Sequence, residues 1–402
     1  MRILFVSSII PWPANVGAIL RSLSLIEALE RLGDVDFLFF SDSKSILSTP
    51  FAQNRKILDV LPRPRFLPYL GYCSLTKLLD WNKNKNEWLP YYIPRFNKFF
   101  SFDRETKKKI HAINLDNYDV IFFIRVETMW WFKLTMSKKT ILDVDDIKHA
   151  GVNIDENGSS SFFKILTRKL IFRNLKKAET DAVKNVAVAL VCSNEDTKIL
   201  AKSNVRVIPN VFPDKGQISS EVDENNSKTI LFVGTLTYKP NRLGIEYFIT
   251  SILPHILDQD PSVKLQVIGR TDPNARYAWS SAPRVDFIGT VVDPRPYIEA
   301  AAIEICPIME GLGTRIKIIE ALSYGRPMVS TTIGAYGIDI GENDGLFRRD
   351  TIEDTVSICL ELLRDPVKRK NIGIRAKRAV MERYSQQAVN YLIEDVIRKD
   401  LN

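Results

Sequence analysis

Two doubly wound α/β domains in tandem are what this sequence predicts, and three observations predict them. Short apolar strands alternate with helical stretches along most of the chain. The alternation halts once, at a polar stretch, and then restarts with the same grammar. The length of 402 residues is too great for one ordinary core and suits two. Hydrophobic residues at 45% and charged residues at 26% give the composition of a folded globular chain.

The first half opens on the apolar strand Ile3–Ser7 and a turn at Pro11-Trp12-Pro13. A helix follows, with Leu20, Leu23, Ile26, Leu29 and Leu32 close to a 3.6 period. Val35–Phe40, Val120–Ile124, Thr140–Val144, Ala187–Cys192 and Arg206–Ile208 are further strands. Apolar strands set between helices indicate a parallel sheet covered on both faces. Pro213 to Lys228 is polar and has no apolar period, so it reads as a linker. The second half repeats the pattern. Thr229–Val233 ends in Gly234, Leu265–Ile268 in Gly269 and Val285–Ile288 in Gly289; Ile303–Pro307 and Met328–Ser330 complete the set. Facing domains of this kind place the carboxyl ends of both sheets at a shared central cleft, where such sheets bind ligands.

Several function classes are set aside by composition. Cys73, Cys192, Cys306 and Cys359 form no C-x-x-C pair, so neither a metal knuckle nor a disulfide framework is indicated. The opening MRILFVSSIIPWP lacks the layout of a signal peptide, and no run approaches the ~18 apolar residues of a membrane span. A cytoplasmic chain, or one bound peripherally at the inner face of the cell membrane, is expected. The excess positive charge is one-sided: residues 1–200 hold 30 Lys and Arg against 22 Asp and Glu, and the rest is balanced.

The stretch richest in chemistry is Glu310 to Gly325. After the strand Ile303–Pro307, Gly311 and Gly313 leave the backbone N–H groups of the turn unobstructed. The helical pattern begins at Arg315, with Ile316, Ile319 and Leu322 inward. A glycine-rich turn opening a helix attracts anions through free N–H groups and the helix dipole. Arg315 and Lys317 add positive charge, which suits a diphosphate. Glu320, farther along the same helix, suits the vicinal hydroxyls of a ribose. Read singly, Lys317 and Glu320 also describe an ordinary surface pair three residues apart.

The segment GLGTRIKIIEALSYGRPMVST resembles the donor site of retaining GT-B glycosyltransferases, the large family-4 group. Glu320-Ala321, Gly325, Pro327, Val329, Gly334 and Gly337 fit the pattern. The resemblance continues through MRILFVSSIIPWPANVGAILRSLSLIEALERLG, VRVIPNVFP, ILFVGTLTYKPNRLGIEYF and VDFIGTVVDPRPYIEAA, nearly the whole chain. It implies the α/β GT-B fold of two Rossmann-like domains: residues 1–213 on the acceptor side, a linker at 214–228 and a donor-binding domain at 229–384. The C-terminal helix at about 385–402 is expected to pack back on the first domain. It implies a nucleoside-diphosphate-sugar donor, a glycan or lipid-linked acceptor, retention of anomeric configuration, and no cofactor or metal. The implied donor-site residues are Gly17, Gly234, Thr235, Lys239, Gly311, Leu312, Gly313, Thr314, Arg315, Lys317 and Glu320.

The sequence departs from that family at named positions. Leu312 stands where many members carry a first acid, and Glu310 comes two positions early. Thr235 and Pro240 replace a phosphate-binding Arg and Lys, with Lys239 one position away. Arg315 and Lys317 are therefore expected to carry the diphosphate charge. In the first half, Gly17 reads equally as a turn glycine, and Arg21 as a solvated helix residue. Asp143, Asp145, Asp146 and His149 cluster at the end of a strand, with Asp145 on a position where the family often has His. Asp145 and Asp146 join Arg315 and Lys317 as candidate catalytic groups, and Arg125 and Glu127 are candidates for the same cleft. A metal among these acids is the lesser alternative.

Residues 51–139 hold 17 Lys and Arg against 8 Asp and Glu, interleaved with Trp81, Trp88, Tyr91, Tyr92, Phe96, Phe99, Phe100, Phe102, Trp130 and Trp131. Phe162 to Lys177 reads as an amphipathic helix with Lys164, Arg168, Lys169, Arg173, Lys176 and Lys177. Such a face suits an anionic membrane surface, or packs as a core insert with solvated lysines. No nucleic-acid motif accompanies it. The leading function is sugar transfer. The alternatives are an epimerase-like nucleotide-sugar enzyme and a catalytically silent nucleotide-binding subunit.

Overall fold

The computed structural model describes residues 1–13, 17–41, 43–66, 100–132, 139–151, 162–212, 226–271, 279, 282–311 and 313–401. They fall into two compact units: Met1–Ile208 with Asn390–Asn402, and Pro209–Val389. Most of the stretch read as a linker lies outside the described residues.

The first unit is built on strands β1 (Arg2–Ser7), β2 (Asp34–Phe40), β3 (Lys56–Leu61), β6 (Val120–Ile124), β7 (Thr140–Asp145), β8 (Val188–Val191) and β9 (Val205–Val207). They form one sheet in the order β3-β2-β1-β6-β7-β8-β9, with every pairing parallel. The short strands β4 (Arg65–Phe66) and β5 (Phe100–Ser101) pair apart from it, antiparallel. The central strands are apolar on both faces because helices cover both. Ile3, Leu4, Phe5 and Val6 of β1 are wholly buried, and Phe5 stacks on Phe122 of β6 with ring centroids 5.8 Å apart.

The second unit repeats the plan with β10 (Thr229–Val233), β11 (Lys264–Ile268), β12 (Val285–Gly289), β13 (Ile303–Cys306), β14 (Met328–Ser330) and β15 (Leu346–Arg348) in the order β12-β11-β10-β13-β14-β15. All its pairings are parallel. In each sheet the winding direction reverses once, between β1 and β6 and between β10 and β13. The loops after those strands are where a doubly wound sheet accepts a ligand.

Two helix readings are corrected. The first helix, Gly17–Glu30, buries Arg21, Leu25, Ile26, Ala28 and Leu29, whereas Leu20 and Leu23 are only half-buried. A charged residue in the inward stripe has displaced the apolar register by one position. The helix Ile316–Ser323 buries Ile318, Ile319, Ala321 and Leu322, and Ile316 stays half-buried because it lies in the first turn, at the open end of the helix.

The turn after β11 is held by one glycine. Gly269 has φ +155°, and a Cβ there would lie 1.9 Å from the Gly234 carbonyl oxygen after β10. Gly269→Ala should therefore destabilise the second unit by about 3 kcal/mol, read as a lower denaturant midpoint. An unchanged midpoint would contradict this close approach of the two turns.

Candidate functional site

In the second unit, the turn after β10 and the loop after β13 bring the predicted donor residues together. The glycines give the loop its shape: Gly311 and Gly313 have φ of +107° and +81°, values that side chains other than glycine rarely adopt. Arg315 folds back on this loop, donating from its guanidinium to the carbonyls of Gly313 at 2.7 Å and Gly311 at 3.0 Å. It also stands at the N-cap of the helix Ile316–Ser323, with no side-chain cap bond, so the first N–H groups of that helix stay open to an anion. The Thr314 hydroxyl accepts from Asn210 Nδ2. Lys239 pairs with Glu310 at 3.1 Å, both side chains largely exposed. Leu312 lies outside the described residues.

Lys317 reaches under the β10 turn. Its Nζ donates to Asn241 Oδ1 at 3.0 Å and lies 4.5 Å from the centroid of the Phe232 ring, a cation–π arrangement. Burial lowers its pKa, with the neighbouring Cys306 and Glu304 acting the other way. Asn241 is held in turn by donating to the Thr235 carbonyl at 3.0 Å. Gly234 is hemmed in by both groups, since a Cβ there would lie 2.9 Å from Asn241 Nδ2 and from Lys317 Nζ. Glu320 is half-buried, and its carboxyl is pushed up to about 7, chiefly by burial and then by the Asp293 charge, with Lys317 opposing.

Two members of this cluster escape a sequence reading. Glu304 sits inside β13 at 1% exposure, and neither carboxyl oxygen has a hydrogen-bond partner among the described residues. Burial, then the Glu320 charge, raise its pKa well above the usual carboxylate range, with Lys317 opposing. A lone acid in the apolar run IEIC is the signal that marks it. Asn241 is 76 residues from Lys317 in sequence, and nothing in the chain order links them.

In the first unit, Asp143, Asp145 and Asp146 end β7, but they do different things. Arg21 is not solvated: it is 3% exposed and clamps Asp143 through NH2 at 2.5 Å and Nε at 3.0 Å, while NH1 donates to the Ile208 carbonyl at 2.8 Å. Burial acts against its charge, and Asp143 outweighs that, holding its pKa above the ordinary value. Asp145 and Arg125 both adopt left-handed backbone, φ +59° and +68°, and face each other across 3.3 Å. Such conformations cost about 1–3 kcal/mol each and gather at functional sites. Asp146 is exposed, and its carboxyl is pushed up to about 6 by the packed setting of the turn and then by the Asp145 charge. Glu127 pairs with Lys148, and His149 Nδ1 lies 2.5 Å from Glu179, which ties the turn to the helix Phe162–Lys184. Gly17 is the exposed first residue of its helix.

No group of three or more acids, histidines and cysteines suited to a metal occurs among the described residues. Cys192, Cys306 and Cys359 are buried free thiols; Cys73 lies outside the described residues. So do Trp81, Trp88, Tyr91, Tyr92, Phe96 and Phe99 of the basic aromatic stretch. No helix among the described residues is long and apolar enough to cross a membrane.

Residues 227–365 match the model of the family described as glycosyl transferases group 1. An uncharacterized protein from the cps region of Klebsiella pneumoniae is 22% identical over 368 residues, covering 86% of each chain. Sucrose-phosphate synthase from Thermosynechococcus elongatus superposes with a TM-score of 0.64 at 16% identity, covering 99% of both chains. HepE of Anabaena, solved in complex with UDP, gives a TM-score of 0.61 at 14% identity over 99% of this chain and 100% of its own. Two parallel sheets of this plan, matched end to end, make the chain a two-domain α/β protein of the GT-B fold, in which residues 227–365 are similar to the glycosyl transferases group 1 family.

Proposed function

We propose that the protein transfers a sugar from a nucleoside-diphosphate sugar to a hydroxyl of a glycan or lipid-linked acceptor, with retention of anomeric configuration. The observation that carries this is the cluster around Gly234 and the Gly311–Arg315 loop. It joins an open helix start, the Lys317 ammonium and the Glu320 carboxyl in one place. The helix N–H groups and Lys317 take the diphosphate, and their positive charge stabilises the leaving group. Arg315 holds the loop in shape through its carbonyls. Lys239 is the flexible helper, released from Glu310 when phosphate arrives. Glu320 accepts from the ribose hydroxyls.

On the acceptor side, the strained Arg125–Asp145 pair and the exposed Asp146 are the groups set to position the attacking hydroxyl. The chemistry needs no protein nucleophile, because the leaving diphosphate takes up the acceptor proton. A relative from a cps region supports a place in polysaccharide assembly. Lys169, Arg173, Lys176 and Lys177 are exposed along the helix Phe162–Lys184, which supports contact with an anionic membrane at the cytoplasmic face.

The test is to incubate the protein with UDP-, GDP- and dTDP-sugars, with and without glycan acceptors, and follow nucleoside-diphosphate release. Release that depends on acceptor is expected, with the product anomer assigned by NMR. Acceptor-independent turnover would favour an epimerase-like enzyme. Failure to bind any of these nucleotides would overturn the reading.

The pH dependence carries a sign. The fold raises the Glu320 pKa to about 7, so it favours the protonated form. The stability that Glu320 contributes is present at low pH and is lost as pH rises towards 7 and beyond. Binding runs the other way, because ribose hydroxyls donate to the ionised carboxylate. Affinity for the nucleoside diphosphate should rise about tenfold between pH 6 and pH 8. Glu320→Gln should flatten that part of the profile, as titration calorimetry at the two pH values would show.

A further inference from the structure

A lysine drawn partly out of solvent ordinarily takes a carboxylate as its partner. Lys317 does not. Glu304 from β13 and Glu320 from its own helix both act on it electrostatically, yet its hydrogen-bond partner among the described residues is the neutral amide oxygen of Asn241. Glu304 gives it no hydrogen bond: that carboxyl is wholly buried and has no hydrogen-bond partner among the described residues.

The amide cannot turn round without loss. Its Nδ2 donates to the Thr235 carbonyl, which leaves Oδ1 facing the ammonium. The two groups crowd Gly234, where a Cβ would lie 2.9 Å from each and would have to displace one of them. The arrangement places a cation firmly and leaves its charge unspent.

We infer that Asn241 is the positioning residue of Lys317, holding the ammonium at the Gly234 turn while keeping its full charge available to a diphosphate. The inference rests on the nucleotide reading of this site. It deepens that reading by assigning the recognition of phosphate, as distinct from nucleoside, to a neutral tether. Aspartate at 241 would be the wrong residue for two reasons: it would neutralise Lys317, and it would set a carboxylate oxygen against the Thr235 carbonyl.

The experiment compares wild type, Asn241→Asp and Asn241→Leu. Calorimetry measures affinity for whichever of UDP, GDP, dTDP and ADP the wild type binds best, and for the matching nucleoside. Loss of a positioned, charge-assisted bond should weaken the diphosphate by about tenfold to a hundredfold in both variants, with nucleoside affinity unchanged. Asn241→Asp is the sharper variant, because it offers Lys317 a stronger partner and still loses phosphate discrimination. An unchanged ratio of diphosphate to nucleoside affinity would overturn the inference. So would an equal loss of both ligands, which marks a merely structural residue. A wild type that binds no nucleoside diphosphate would instead strike the proposed function itself.

Discussion

Lys317→Met should lower kcat/KM for sugar transfer by about a hundredfold to a thousandfold. Methionine keeps the apolar stem against Phe232 and removes only the ammonium. Lys317 is half-buried and its surroundings disfavour the ammonium, so thermal stability should hold or rise while activity falls. That opposition separates this residue from a structural one. Steady-state kinetics with a saturating acceptor, alongside a thermal melt, reads both. Near wild-type turnover would remove Lys317 from the diphosphate site. Arg315→Ala is expected to act differently, mainly by loosening the Gly311–Gly313 loop that its guanidinium braces, and so to raise KM for the donor.

Arg21→Met should destabilise the first unit by about 3–5 kcal/mol. It leaves Asp143 at the end of β7, wholly buried and stripped of its clamp. Asp143→Asn alone should fall in the same range, since it leaves the guanidinium buried without its counter-charge. Arg21→Met with Asp143→Leu should cost much less than the two single losses added together, because no uncompensated charge remains. Denaturant unfolding followed by a probe in each unit would show the first transition moving and the second staying still. Additive losses would mean that the pair is not a unit.

The strand grammar was legible because parallel strands buried on both faces are apolar along most of their length. Thr229–Val233 and Ile303–Cys306 announce themselves this way. The edge strand Lys56–Leu61 carries Lys56 and Asp59 and does not, and Leu346–Arg348 is too short to show a pattern. The glycine-rich loop after β13 was legible through Gly311 and Gly313, and the helix it opens through the pattern that ends in Glu320, because their spacing along a turn and helix is local. What chain order hid are pairings made by folding. Arg21 looks like a surface arginine until it meets Asp143, 122 residues on. Asn241 looks like an ordinary helix residue until Lys317 reaches it. Glu304 is visible as an oddity in an apolar run, but its lack of a hydrogen-bond partner among the described residues is a three-dimensional fact.

Residues Asn390–Asn402 belong to the same unit as Met1–Ile208, where Asp400 grips Arg206 at 2.5 Å. The second unit is thus an insertion in the chain rather than a tail. Anyone building chimaeras of the second unit must graft 209–389 as a cassette with two seams, leaving the last helical turns behind with their native host. A single-junction swap would pair each first unit with a foreign closing segment and sever the Arg206–Asp400 link. Such hybrids should express poorly for reasons unrelated to nucleotide choice.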